Sequence, residues 1–213
     1  MSRRRRKKRR RGLLLAVLII VVIVIAGVGI HHRAAKTDDA AQSTSSGIPD
    51  YIDVQLLDVN EYSRPGLALK QVNAIVVHYT ANPGSTAQQN RDYFNNLQTS
   101  HTAKVSSHFV IGIDGEVIQC IPTKEMAYAS HPRNSDTIAI ECCHKGEDGA
   151  FTKETYDSLV KLTAYLCDKY GLTGEDVIRH YDVSGKKCPL YYVDHPEEWE
   201  DFKKDVDQYL KDM

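Results

Sequence analysis

The sharpest contrast of polar and apolar positions lies near the start of the chain. Leu13 to Ile30 runs eighteen residues without a charge and is dominated by Leu, Val and Ile. As a helix at about 1.5 Å per residue it would extend roughly 27 Å, close to the ~30 Å apolar core of a bilayer. A helix packed on a soluble core would carry a polar stripe, and this run has none. Residues 13–30 therefore read as a transmembrane anchor. Residues 31–50 read as a flexible linker, because Gln42-Ser43-Thr44-Ser45-Ser46-Gly47 is small and polar with no apolar periodicity.

Apolar periodicity begins near Tyr51 and continues to the C-terminus, so residues 51–213 read as one domain of ordinary size. Short β-rich runs predict strands at Ala74–His78, His108–Ile113, Val117–Ile121, Thr137–Cys142 and Val177–His180. Several are almost continuously apolar, as in a sheet covered on both faces. Asp114-Gly115 predicts a hairpin between the second and third. Helices are predicted over Thr86–Leu97, Lys153–Tyr170 and Glu197–Leu210. Thr152 is placed as an N-cap and Gly171 as a C-terminal stop. The last helix carries Trp199, Phe202, Val206 and Tyr209 on one stripe. The expected fold class is α/β, a mixed central sheet flanked by helices, preceded by the single N-terminal membrane helix.

Charge refines this picture in two ways. Nine of the 27 Lys and Arg residues fall between Arg3 and Arg11. Cations directly before a span hold that end in the cytoplasm, so residues 1–12 read as a basic cytoplasmic tail. The domain that follows would face outward from a single-pass cell-membrane anchor. A cleaved signal peptide would have a shorter apolar region, about 7–15 residues, ending in small residues. Here the run ends in Gly-Ile-His-His-Arg. Without the nine cations the remainder has 18 Lys and Arg against 28 Asp and Glu, a net charge of −10. A domain this acidic repels phosphates, which argues against a nucleic-acid partner.

The five cysteines (120, 142, 143, 167 and 188) do not form a disulfide framework. The odd number and the domain size favour buried thiols at Cys142 and Cys143, with a Cys120–Cys142 bridge as the alternative.

Candidate chemistry centres on Arg179-His180-Tyr181-Asp182-Val183-Ser184-Gly185-Lys186-Lys187-Cys188-Pro189, which sets an imidazole and a thiol eight positions apart. His78 closes the strand-like run Ala74-Ile75-Val76-Val77-His78. Alone, His78 reads as a strand-end core histidine. With His180 and Cys188 it completes a three-ligand zinc set that leaves a fourth position to water, the open arrangement of a catalytic site. His78, Glu141 and His180 all fall at the C-terminal ends of predicted strands, the rim where open α/β sheets bind ligands. Glu141 is a carboxylate inside an apolar strand, suited to take a proton from water. Lys186, two residues before Cys188, is either a solvated turn lysine or a cation in reach of the reacting oxygen.

These segments resemble the zinc-dependent N-acetylmuramoyl-L-alanine amidase family, which includes phage endolysins and animal peptidoglycan-recognition proteins. The resemblance rests on Ile75-Val76-Val77-His78-Tyr79-Thr80, on Ser106-Ser107-His108-Phe109-Val110-Ile111 with Asp114-Gly115, on Asn134 through Glu141, and on Arg179-His180 through Cys188-Pro189. It implies His78, His180 and Cys188 as zinc ligands, Glu141 as the catalytic carboxylate and Lys186 as the transition-state cation. It also implies peptidoglycan as substrate, cut by zinc-activated water at the amide between the muramic acid lactyl group and L-alanine. The alternative is a non-catalytic peptidoglycan-binding receptor on the same fold. Two positions depart from the pattern. Many relatives carry Trp-His where this chain has Tyr128-Ala129, and some carry tyrosine at Ser107. His108 is expected to be structural, and His101, His131, His144 and His195 to be surface or loop residues.

Overall fold

Continuous apolar runs make the two longest strands of a single sheet. The computed structural model describes residues 47–213, and Pro49–Met213 closes into one compact unit. The cytoplasmic tail (1–12), the anchor (13–30) and most of the linker (31–50) expected from the sequence lie outside the described residues. Among the described residues no helix is long and apolar enough to cross a membrane.

The strands are β1 (Ile52–Val54), β2 (Ala74–Tyr79), β3 (Phe109–Ile111), β4 (Val117–Gln119), β5 (Thr137–Cys142) and β6 (Val177–Arg179). They lie in the order β1-β4-β3-β5-β2-β6, and every neighbouring pair is parallel except β3 with β4. That antiparallel pair is the predicted hairpin, with Gly115 at φ +86°. A side chain there would meet the backbone oxygen of Glu154 at 2.8 Å, so glycine is required on two counts. The sheet is mixed, as expected.

Strands β2 and β5 pair over six residues, from Ala74↔Thr137 to Tyr79↔Cys142. Ile75, Val76, Val77, Ile138 and Ile140 are fully buried, because helices cover both faces. Helix α1 (Ala87–Ser100) sets Ala87 and Phe94 against Val110, Ile118 and Cys143. Alternation along β3 sends Phe109 and Ile111 to the other face. There α2 (Lys153–Tyr170) packs against β3 and against α5 (Pro196–Asp212). Tyr156 of α2 meets Phe202 of α5 edge-on at 5.9 Å. Two short helices, α3 (His180–Ser184) and α4 (Leu190–Asp194), lie between β6 and α5.

Local chemistry sets the boundaries. Thr86 and Gln89 form a reciprocal capping box at the start of α1, each side chain bonded to the other's backbone N–H. The helix runs three residues past the predicted end, because His101 adopts φ +54° without being glycine. The His101 ring stacks on Tyr62 at 4.2 Å. Thr152 caps α2 by accepting from Thr155 N, and Gly171 ends it at φ +67°. On α5, Trp199, Phe202 and Val206 are buried, while Tyr209 at the end of the expected stripe is 38% exposed.

The buried thiols expected from the sequence are found, and the histidine expectation holds in part. All five cysteines are free and buried, so the Cys120–Cys142 bridge does not form. His144 lies in the loop after β5, as expected, but is buried there, with its ring 5.1 Å from that of Tyr79 and Nδ1 2.7 Å from the Gly146 carbonyl.

His108 is structural. Its Nδ1 accepts from Ala139 N at 3.0 Å, and Nε2 lies 2.9 Å from the Glu125 carbonyl, to which it donates. Beside it, Ser107 donates to the Ala139 carbonyl at 2.8 Å. Both residues thus fasten β5 two positions before Glu141. Burial pushes the His108 imidazole from 6.5 down to about 4. The unfolded chain takes up this proton first, so the contribution to stability is complete above pH ~6.5 and is lost as pH falls toward ~4. The displacement corresponds to about 3 kcal/mol. In urea unfolding, His108→Gln is expected to be less stable at pH 7 and to lose about 3 kcal/mol less between pH 7 and 4. An unchanged decline would show that His108 takes up a proton in the folded state as readily as in the unfolded one.

Candidate metal centre

The register of the parallel strands creates the site. His78 on β2 and Glu141 on β5 are partners across the ladder, so their side chains leave the same face side by side. His78 Nδ1 lies 3.9 Å from Glu141 Oε1. Next to β2 on its other flank, β6 ends at Arg179, and His180 is the first residue of α3 rather than the last of a strand. The cause is Asp182, whose carboxylate accepts from Arg179 N at 2.9 Å and starts the helix. Gly185, at φ +76°, turns the chain out of α3, and Tyr181 N bonds back to the Cys188 carbonyl at 2.9 Å. This loop returns the thiol to the imidazole eight residues before it.

His78, His180 and Cys188 each point one donor atom into a common space, all within 4.8 Å of one another. Cys188 Sγ is 3.8 Å from His78 Nδ1. The two imidazole rings lie 4.6 Å apart at 54°, too tilted to stack. Tetrahedral zinc bonds of ~2.0–2.3 Å would set the donors roughly 3.5 Å from one another, so a small contraction suffices. His180 Nδ1 is buried with no hydrogen-bond partner among the described residues, and so is Glu141 Oε2. Buried polar atoms without partners are costly in a protein interior; a cation held by the three donors would satisfy the His180 nitrogen and offset the charge of the neighbouring carboxylate. No other group of this kind occurs among the described residues.

The electrostatics fit the same ion. Burial, then the charges of His180 and Lys186, push the His78 imidazole well below its ordinary value. Burial and Lys186 also lower His180. Both rings are therefore neutral, the form that ligates. Burial raises the Cys188 thiol to about 12, with Glu141 adding to the rise, while the Tyr79 backbone and Lys186 oppose it. Burial likewise raises Glu141 to about 8, and Lys186 pulls the other way. Two anions are thus disfavoured in a dry site, and a divalent cation would reverse both penalties. The three donors fit a divalent metal with N/S preference.

Lys186 acts on all four groups, although its side chain is exposed. Its neighbour Lys187 is tied instead to Asp194 at 2.7 Å, so the two adjacent lysines are not equivalent. Ser107, where relatives can carry tyrosine, is buried and directed at the Ala139 carbonyl.

Sequence reasoning missed Ser130. Its hydroxyl lies 3.1 Å from His78 Nε2, on the far side of the ring from the metal donors. Fifty-two residues separate the two, and no periodicity or spacing links them.

The family described as N-acetylmuramoyl-L-alanine amidase matches residues 68–190, which hold all five residues singled out above. Among curated proteins, N-acetylmuramoyl-L-alanine amidase CwlL of Bacillus licheniformis is 38% identical over 164 residues, 71% of this chain and 45% of that relative. N-acetylmuramoyl-L-alanine amidase BlyA of Bacillus subtilis (strain 168) is 35% identical over 171 residues, 70% of this chain and 45% of that relative. The chain thus spans about half the length of these relatives. Among solved structures, the catalytic domain of XlyA is 28% identical with a TM-score of 0.62, covering 73% of this chain and 98% of that domain. The structure of PlyL is 26% identical with a TM-score of 0.63, covering 73% of this chain and 96% of that one.

Proposed function

Since the chain belongs to the N-acetylmuramoyl-L-alanine amidase family, we propose that it hydrolyses the amide between the muramic acid lactyl group and L-alanine in peptidoglycan, with zinc as cofactor. The observation that carries this reading is the meeting of His78, His180 and Cys188 within 4.8 Å, beside a partly buried carboxyl at Glu141. His78, His180 and Cys188 would hold the zinc. When bound, the ion supplies a Lewis acid that polarises a carbonyl and lowers the pKa of water toward ~7.

The chain's own residues do the rest. Burial raises Glu141 to about 8 against the pull of Lys186, so it would start as a carboxylate only with the cation beside it. It takes the proton of the attacking water and passes it to the leaving nitrogen of L-alanine. Partial burial keeps bulk water from competing for that proton, since the Glu141 side chain is only 14% exposed. The Lys186 ammonium opposes the negative charge that builds on the carbonyl oxygen.

The test is product analysis on purified peptidoglycan. The proposal expects new L-alanine amino termini and glycan products that mass spectrometry finds free of L-alanine. Glycan that retains L-alanine would move the cut into the stem peptide. Binding without release would make the chain a receptor.

The proposal extends to the N-terminal segment. Residues 13–30 would anchor the protein in the cell membrane by a single pass, residues 1–12 staying in the cytoplasm and the domain facing the cell wall. The 31–50 linker would give the domain reach at the membrane face of the wall. On fractionation, the intact chain is expected to sediment with membranes and to resist carbonate extraction. Deleting residues 1–30 should move it to the soluble fraction. A full-length chain found in the soluble fraction would refute the anchor while leaving the chemistry standing.

A further inference from the structure

Ser130 is fully buried in the loop that leads into β5. The loop is braced on both sides of it. Asn134 Oδ1 accepts from Ala129 N at 3.1 Å and from Ser130 N at 2.6 Å, and the Ser130 carbonyl accepts from Arg133 N at 2.6 Å. Thr137, the first residue of β5, donates to the Arg133 carbonyl at 2.8 Å. One short loop therefore carries a hydroxyl to His78 at one end and feeds the strand of Glu141 at the other.

A neutral imidazole has a single N–H, and its two nitrogens face different partners here. Nδ1 is turned to the donor cluster, 3.8 Å from Cys188 Sγ and 3.9 Å from Glu141 Oε1. Nε2 is turned away, 3.1 Å from Ser130 Oγ. A proton on Nδ1 would occupy the lone pair that the metal needs. We infer that Ser130 is a positioning residue: its hydroxyl accepts the Nε2–H of His78, holding the tautomer and ring angle that leave Nδ1 bare toward His180 and Cys188. A ligating histidine commonly gives its second N–H to a carboxylate, a carbonyl or water, which sets orientation and basicity. In this chain a serine hydroxyl takes that place, in a pocket where His78 is 2% exposed.

The inference rests on the metal-centre reading above, yet it can be tested apart from amidase activity. Nitrogen-15 spectra of the full-length chain, metal-free and zinc-loaded, are expected to show His78 protonated at Nε2 and bare at Nδ1 in both states. In Ser130→Ala the metal-free ring should populate both tautomers. Competition with a chelator should show zinc held about 10–100-fold more weakly, the usual cost of losing such a partner. A merely structural serine would not move the tautomer. A wild-type ring protonated at Nδ1, or a Ser130→Ala chain that keeps wild-type zinc affinity, would overturn the inference. If the wild type takes up no zinc, the function proposed above fails, and the metal-free tautomer alone decides the role of Ser130. The same wild-type spectrum decides it if Ser130→Ala does not fold.

Discussion

Cys188→Ser is expected to lose zinc and peptidoglycan hydrolysis together. The thiolate is the one anionic donor of the set, and it stands 3.8 Å from His78 Nδ1 in a site where it is 2% exposed. Serine keeps the volume of the side chain but has an alcohol too weakly acidic to become an anionic ligand at neutral pH. The loss in affinity should exceed the roughly 10–100-fold that removal of an outer partner costs. Metal activation of the substrate is worth several kcal/mol, so turnover should drop by on the order of 10³-fold or more. The fold should survive, because serine nearly matches cysteine in size and the sheet is held by the apolar side chains of β2 and β5. Metal analysis, hydrolysis rate and thermal unfolding of the same sample check this. A Cys188→Ser chain with full zinc and full activity would remove the thiol from the site.

Glu141→Gln separates holding the ion from using it. The substitution keeps shape and polarity but removes the proton acceptor. Glu141 contributes no atom to the three-donor set, and its Oε1 stays 3.9 Å from His78 Nδ1. Zinc content should therefore stay near one per chain, while kcat falls about 10²–10⁴-fold, the ordinary worth of a general base. Substrate affinity should change little, so the loss would sit in kcat rather than KM. Wild-type turnover in Glu141→Gln would transfer the proton work to another group. Loss of zinc would make Glu141 a ligand.

Much of the site was legible because it is assembled by the strongest signal in the chain. Strands β2 and β5 are covered on both faces and so appear as unbroken apolar runs, and each carries a single histidine or carboxylate, at the rim. Their parallel register then makes neighbours of His78 and Glu141 with no further information. Helix α2 was legible to the residue because Thr152 and Gly171 mark its ends chemically.

The features that escaped are tertiary. β1 is three residues long at an edge, held by pairing with β4 and not by its own pattern. His180 begins a helix because one carboxylate, Asp182, caps it. His144 lies in a loop, as its neighbours Cys143, Lys145 and Gly146 imply, but its burial beside the Tyr79 ring carries no local mark. Ser130 reaches His78 through a loop fold that Asn134 determines, and a serine in a polar stretch carries no mark of that role.

The most direct measurement of the central claim is anomalous diffraction at the zinc edge from crystals grown with zinc. The account predicts one peak at full occupancy, within ~2.0–2.3 Å of a nitrogen of His78, a nitrogen of His180 and Cys188 Sγ, with a coordination position left open beside Glu141. No peak at these residues, or a peak held by other side chains in a protein that still cuts peptidoglycan, would contradict it.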